Sequence, residues 1–246
     1  VAKEREKAAI LAKNEQLRAN LLRSISHDLR TPLTSISGNA GILLSNGDTL
    51  KQEKKQQLYS DIYDDALWLI NLVENLLAVT KIEEGSMHLK MSAELMDEVI
   101  TEALHHVNKK KDEHTIKVVQ TEDFILAKMD ARLIVQVIIN IVDNAIKYPP
   151  TGSTITISTT KKDKQVIVDI ADDGPGIPDQ AKERIFDMFY IAPNEVVDSH
   201  RSLGLGLALC KSIINAHGGE ISVLDNKPKG TVFRFTLPAE EVNLYE

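Results

Sequence analysis

The chain has 246 residues, with 29 Lys and Arg against 36 Asp and Glu, a formal charge of −7. That length holds one large domain or two modest ones, and the acidic balance argues against nucleic-acid binding as the main business. Cys210 is the single cysteine, so neither an internal disulfide nor a cysteine-based zinc site can form, which suits a reducing compartment. No apolar run approaches the ~20 residues of a membrane span, and no signal peptide is visible. The chain opens on Val1 inside a charged helical pattern, so it reads as a piece of a longer protein.

Residues 1–45 read as one long helix, with no glycine before Gly38 and no proline before Pro32. Its first part is rich in Ala, Lys, Glu and Gln, with Ile10, Leu17 and Leu21 spaced for a coiled-coil seam. Ser45-Asn46-Gly47-Asp48-Thr49 is a turn cluster. A second helix is expected over 51–83, with Leu58, Ile62, Ala66, Leu69, Val73, Leu76, Leu77 and Val79 at helical spacing. Each helix of this antiparallel hairpin has one strong apolar stripe. Two hairpins packed as a four-helix bundle would bury both stripes, so a homodimer is expected.

Glu84-Gly85-Ser86 ends the second helix and marks the expected boundary between domains 1–84 and 85–246. Beyond it the pattern is mixed. Residues 93–109, 130–148 and 205–217 read as helices, and 115–120, 154–160, 165–171, 220–224 and 231–237 as strands. Residues 159–165 and 225–230 read as hairpin turns. A mostly antiparallel sheet with helices on one face, an α+β sandwich, fits this order.

Within the first helix, Leu22, Ile25, Leu29, Leu33, Ile36, Ala40 and Leu43 fall on one face at roughly 100° per residue. His27 and Thr31 point away from that face, one turn apart. Asp28 stands beside the histidine, and Pro32 predicts a local kink just below it. A lone exposed histidine is ordinarily only surface. This one shares its chain with the parts of a nucleotide site.

Three stretches supply those parts. Asn140, Asn144 and Lys147 share a helical stripe bordering the apolar face of Leu133, Val137, Ile138, Ile141 and Ala145, and Tyr148 follows. Amide oxygens suit Mg²⁺, which takes few protein ligands, and Lys147 offers a point charge to phosphate. Asp172-Asp173-Gly174-Pro175-Gly176 follows a strand directly. Its glycines let backbone approach a ligand, and a carboxylate can accept a hydrogen bond from an exocyclic amine such as that of adenine. Gly204-Leu205-Gly206 opens a helix, whose N–H groups and dipole favour phosphate. Taken singly, these could be a polar helix edge, a tight turn and a helix start. Between the last two lie Arg184, Phe186, Phe189 and Tyr190, then a polar segment over 191–201 of a length suited to a lid.

In this order the motifs resemble the catalytic core of a sensor histidine kinase of a two-component system, over nearly the whole chain. Residues 27–33, His-Asp-Leu-Arg-Thr-Pro-Leu, are similar to the family's phospho-acceptor box. Residues 140–148 resemble its N box, 172–176 its G1 box, 184–189 its F box and 204–207 its G2 box. The wording His-Asp-Leu-Arg-Thr-Pro-Leu-Thr is also similar to the potassium-responsive sensor kinases. The resemblance implies a dimeric phosphotransfer hairpin followed by a gyrase-like ATP-binding domain. It implies ATP and Mg²⁺ as cofactors and a response-regulator receiver domain as partner. It also implies the cytoplasmic portion of a membrane-anchored bacterial sensor, with the anchor in parts absent from this chain.

By the same resemblance His27 is phosphorylated, Asp28 assists its imidazole, and Thr31 positions water for regulator dephosphorylation. Asn140 and Asn144 serve metal and phosphate, Lys147 and Tyr148 lie along the nucleotide, and Asp172 holds adenine. Gly174, Gly176, Gly204, Leu205 and Gly206 shape the pocket. Two positions depart from the pattern. Ile191 stands where Arg or Lys is frequent, with Arg201 a candidate replacement, and Pro149 stands where Thr or Ser is usual, which should stiffen the exit of that helix.

Two rivals remain. An ATP hydrolase of the gyrase and MutL kind needs a glutamate base where Asn140 stands, and an amide cannot deprotonate water. A non-enzymatic dimer module with a vestigial site is opposed by the intact Asn140, Asn144, Asp172 and glycine pairs. The remaining histidines, His88, His105, His106, His114, His200 and His217, show no paired metal spacing.

Overall fold

A computed structural model describes residues 25–26, 29–83, 88–107, 113–188, 190 and 204–241. The chain divides into two compact units, one ending at Leu77 and the other opening at Ala78. The boundary expected between residues 84 and 85 lies outside the described residues.

The first unit is a helical hairpin. Helix α1 spans 29–46 and α2 spans Gln52–Glu83, running on past the end of this unit. The turn closes where Asn46 accepts from the Thr49 and Leu50 N–H groups at 3.0 and 3.2 Å. A side chain on Gly47 would run into the Leu43 carbonyl, so glycine is required there. Helix α1 is continuous through Pro32. The turn in which a kink was expected includes residue 28, outside the described residues. The hairpin buries few of its apolar side chains. Leu58 and Leu72 are enclosed, while Leu33, Tyr59, Tyr63, Ile70, Val73 and Leu77 are exposed.

The second unit is a sheet with one helical layer. Its strands are β1 (Ser92–Leu95), β2 (Thr115–Gln120), β3 (Leu126–Met129), β4 (Thr154–Lys162), β5 (Gln165–Asp172), β6 (Ile221–Asp225) and β7 (Thr231–Pro238). Its helices are α3 (Met96–His106), α4 (Ala131–Lys147), the single turn α5 (Asp179–Lys182) and α6 (Gly206–Ala216). The large sheet has the order β2-β4-β5-β7-β6, and every pairing but β2 with β4 is antiparallel. The expected antiparallel sheet is therefore mixed at one edge. The helix expected from residue 93 begins at Met96, because Ser92–Leu95 pairs antiparallel with Leu126–Met129 in a separate ribbon. Four-residue strands carry too little periodicity to be read from sequence.

Burial alternates along β4, β5 and β7, so one sheet face is covered and the other half open. Ile155, Ile157, Val168, Ile170, Phe233 and Phe235 meet Ile134, Val137, Ile138 and Ile141 of α4 and Leu209 and Ile213 of α6 in one core. His217 closes the helical layer. Its Nε2 accepts the Asp130 N–H at 3.0 Å, so the ring proton sits on Nδ1 and is donated to the Ile213 carbonyl at 2.7 Å. This ties the end of α6 to the start of α4.

Thr159 occupies a core position of β4, opposite Val168. Its hydroxyl has no hydrogen-bond partner among the described residues. A buried, unsatisfied hydroxyl costs about 1–3 kcal/mol. Thr159→Val keeps the shape and removes the hydroxyl, so the variant should melt higher by about 2–6 °C, measured by thermal unfolding.

Candidate nucleotide site

Two stretches of the second unit pack on α4 and its exit at separate points. Helix α4 brings Asn140 and Asn144 along the border of its buried face, ending at Lys147 and Tyr148. Helix α6 starts at Gly206, and a Cβ there would lie 3.7 Å from Asn140 Cγ. The Asn140 amide therefore abuts the N-terminus of α6. Gly204 has φ +63°, a left-handed turn that delivers the chain into α6, and Leu205 is buried beneath it. Beneath Asn140 lies the Cys210 thiol, buried and pushed up to about 12 by loss of solvent. It is a packing group and not a nucleophile.

The Asn140 amide is polar surface held in reserve. Its Nδ2 is buried and meets no acceptor stronger than the Cys210 sulfur among the described residues, and its Oδ1 receives a long 3.5 Å contact from Gln136. Such a group costs stability unless a ligand completes it. The under-partnered atom is a donor, which suits an acceptor such as a phosphate oxygen, while the amide oxygens of Asn140 and Asn144, one turn apart, are of the type that Mg²⁺ takes alongside water and phosphate. At the other end of α4, Lys147 Nζ stands 5.2 Å from the Tyr148 ring centroid, both exposed.

Asp172 ends β5 at 5% exposure. Burial pushes its carboxyl above the usual carboxylate range, against the opposing pull of the Gly174 and Thr231 N–H groups. The Gly174 N–H donates to Asp172 Oδ1 at 2.8 Å. A Cβ on Gly174 would come within 2.8 Å of both that oxygen and Pro149 Cγ. Pro149 therefore does more than stiffen the exit of α4, since its ring packs under the Asp172 loop. Asp173, exposed, accepts the Thr154 N–H at 3.0 Å and fastens the loop to the start of β4.

The expected residues thus fall into two clusters. Asn140 and Gly206 adjoin, and Asp172 and Gly174 adjoin next to Pro149, at the exit of α4. Gly176, at φ +82°, faces the Gly230 carbonyl. Thr31 is an exposed residue of α1, in the other unit. His27, Asp28, Phe189, Ile191 and Arg201 lie outside the described residues. Sequence reasoning took 225–230 for a plain hairpin turn. That turn lies directly on Asp172, with Gly230 against its carbonyl and Thr231 beside its carboxylate. Only the pairing of β5 with β7 discloses this, across more than fifty residues.

Comparison with known proteins agrees with this arrangement. A family model described as the histidine kinase-, DNA gyrase B- and HSP90-like ATPase matches residues 129–241. A second, the His Kinase A (phospho-acceptor) domain, matches residues 17–85. The chain belongs to the sensor histidine kinases. It is 47% identical over 240 residues to the sensor protein KdpD of Clostridium acetobutylicum, covering 98% of this chain and 27% of that protein. It is 34% identical to KdpD of Escherichia coli K12, covering 96% of this chain and 26% of that protein. The chain thus spans about a quarter of these relatives. A crystal structure of the histidine kinase ThkA in complex with the response regulator protein TrrA matches with a TM-score of 0.62 at 25% identity, covering 93% of this chain and 64% of that one. Along the chain, then, a helical region matched by the phospho-acceptor model precedes an α/β domain matched by the ATPase model. Among the described residues no helix is long and apolar enough to cross a membrane.

The buried carboxylate has a pH signature. Because its folded-state value is raised above 3.8, the protonated form favours the fold, and that stability is lost as pH rises through the raised value. Asp172→Asn removes the cost of ionisation. The melting temperature of the variant should therefore gain on the parent as pH rises from about 4 to about 7, followed by thermal unfolding of both proteins.

Proposed function

We propose that the chain catalyses ATP-dependent phosphorylation of its own His27 and passes the phosphoryl group to an aspartate of a response-regulator receiver domain. One observation carries this reading. The Asn140 amide adjoins the N-terminus of α6 while the Asp172 loop packs on Pro149 at the exit of the same helix α4, in a chain whose sequence bears the His-Asp pair. Phosphoryl transfer needs positioning and charge neutralisation more than covalent help. Asp172 accepts from the adenine amine, Lys147 and Tyr148 flank the nucleotide, and Gly174, Gly176, Gly204, Leu205 and Gly206 let backbone lie close to it. Asn140 and Asn144 would hold Mg²⁺, which supplies charge neutralisation at the phosphates when bound.

His27 attacks the γ-phosphorus in line, forming an N–P bond as the bond to the ADP oxygen breaks. Asp28 favours the reactive tautomer and offsets the developing positive charge on the ring. An amide at position 140 cannot act as base toward water, which favours transfer to histidine over simple hydrolysis.

The exposed apolar side chains of the hairpin support a homodimer, in which two hairpins bury Tyr59, Tyr63, Ile70 and Val73. The similarity to KdpD supports placing the chain among the potassium-responsive sensors, as the cytoplasmic part of a membrane-anchored protein. The domain limits 1–84 and 85–246 fit the two family matches.

Incubation with radiolabelled ATP tests the acceptor. The label should be acid-labile and alkali-stable, as a phosphoramidate is, and absent in His27→Gln. Acid-stable label, or label persisting in that variant, overturns the assignment. ATP consumption without labelling would favour hydrolysis instead.

Thr31 separates two activities. One turn from His27, its hydroxyl can position water against a regulator's phosphoaspartate but cannot serve as base for the histidine. Thr31→Ala should leave autophosphorylation within a few-fold of the parent. It should slow regulator dephosphorylation by about 5- to 150-fold, the loss of one hydrogen bond of roughly 1–3 kcal/mol. Parallel kinase and phosphatase time courses measure both, and equal loss in the two would remove the phosphatase role.

A further inference from the structure

The turn between β6 and β7 is tied to the Asp172 loop by side chains. Asn226 Nδ2 donates to the Asp172 backbone carbonyl at 2.8 Å, a contact between residues 54 apart in sequence. Its Oδ1 accepts the Lys227 N–H at 2.9 Å, so both ends of the amide are used and its orientation is set. The Asn226 N–H donates to the Gly230 carbonyl at 3.0 Å and closes the turn. The same Gly230 is pressed against the Asp172 carbonyl so closely that no side chain could stand there.

A second tie reaches the far end of the loop. Lys182 of α5 bonds Asp179 of its own turn at 2.6 Å and Asp225, the residue before Asn226, at 2.7 Å. The segment from Asp172 to Lys182 is thus held by the β6–β7 turn at both ends. Between the two ties lie Gly174 and Gly176, the residues that shape the adenine end of the pocket.

We propose that Asn226 is a positioning residue for adenine recognition, fixing the backbone of Asp172 so that its carboxylate meets the exocyclic amine of the base. This rests on the reading of Asp172 as the adenine-binding carboxylate. The physical argument is leverage. The Asp172 carboxylate is one residue's length from the carbonyl that Asn226 holds. With the anchor removed, Asp172 can rotate at the strand end, and a hydrogen bond to the amine tolerates little misalignment. Phosphate contacts near Asn140 would be untouched.

The test compares ATP with inosine triphosphate, which has the same phosphates and lacks the exocyclic amine. Autophosphorylation of the full chain with each nucleotide gives KM and kcat for the parent, Asn226→Ala and Asp172→Asn. Asn226→Ala should raise KM for ATP about 5- to 30-fold, leave KM for inosine triphosphate nearly unchanged, and keep kcat within about twofold. The preference for ATP then narrows. A merely structural role would weaken both nucleotides equally and lower the melting temperature, and that result overturns the proposal. If Asp172→Asn narrows the preference while Asn226→Ala keeps the parent's, Asn226 alone is ruled out. If Asp172→Asn leaves the preference intact, the adenine reading itself fails. Should Asn226→Ala not fold, Asn226→Asp retains the acceptor for Lys227 and removes the donor to the carbonyl, and the same narrowing is expected of it.

Discussion

The constraint on which the ATP-binding unit depends is a carboxylate buried at the end of a central strand. Taking Asp172 out of water is costly, and the cost is visible in its raised pKa. The surrounding structure offsets part of it with the N–H groups of Gly174 and Thr231. Those donors can reach the carboxylate only if backbone passes very close. That requirement excludes side chains at positions 174 and 230, where a Cβ would strike Asp172 or its neighbours. Pro149 and Asn226 then hold the loop from two sides. This partial replacement of lost water is assembled from pieces of three distant segments.

Asn140 presents the complementary case. Its amide is placed between α4 and α6 with its nitrogen under-partnered, above an inert Cys210 thiol. The unit carries two unfavourable polar groups at the edges of a densely apolar core. Proteins tolerate such costs where a ligand relieves them. The core that supports them is made by the long alternation of β4, β5 and β7 against the stripe of α4, and His217 locks the two helices of that layer together.

The hairpin unit works under the opposite economy. Its apolar residues are exposed or only half-buried, and few are enclosed by the unit itself. A helix pair of that kind gains its stability from association and not from its own interior. The hairpin and the unit that carries Asn140 and Asp172 are thus stabilised in different ways.

The sequence by itself determined the second helix of the hairpin, the described part of the first and the five strands of the main sheet within a residue or two, and it singled out the residues of the proposed site. It could do so because periodicity is a local property and the boxes are short, so Asp172, Gly174, Asn140 and Gly206 announce themselves within a few neighbours. Only the tertiary structure decided what those residues touch. The four-residue strands β1 and β3 exist through each other and replace the start of an expected helix. The parallel edge of β2 with β4 cannot be told from an antiparallel one by alternation, since both expose every second residue. Pro149 read as a stiff helix exit, and its contact with Gly174 depends on where β5 ends. His217 read only as a histidine without metal spacing, and its two hydrogen bonds depend on how α6 lies against α4. Asn226 read as a turn residue, and its bond to Asp172 depends on strand register. Hydrogen bonds between residues 54 or 87 positions apart leave no trace in local pattern. Their energy is set by distances that exist only after the sheet has closed.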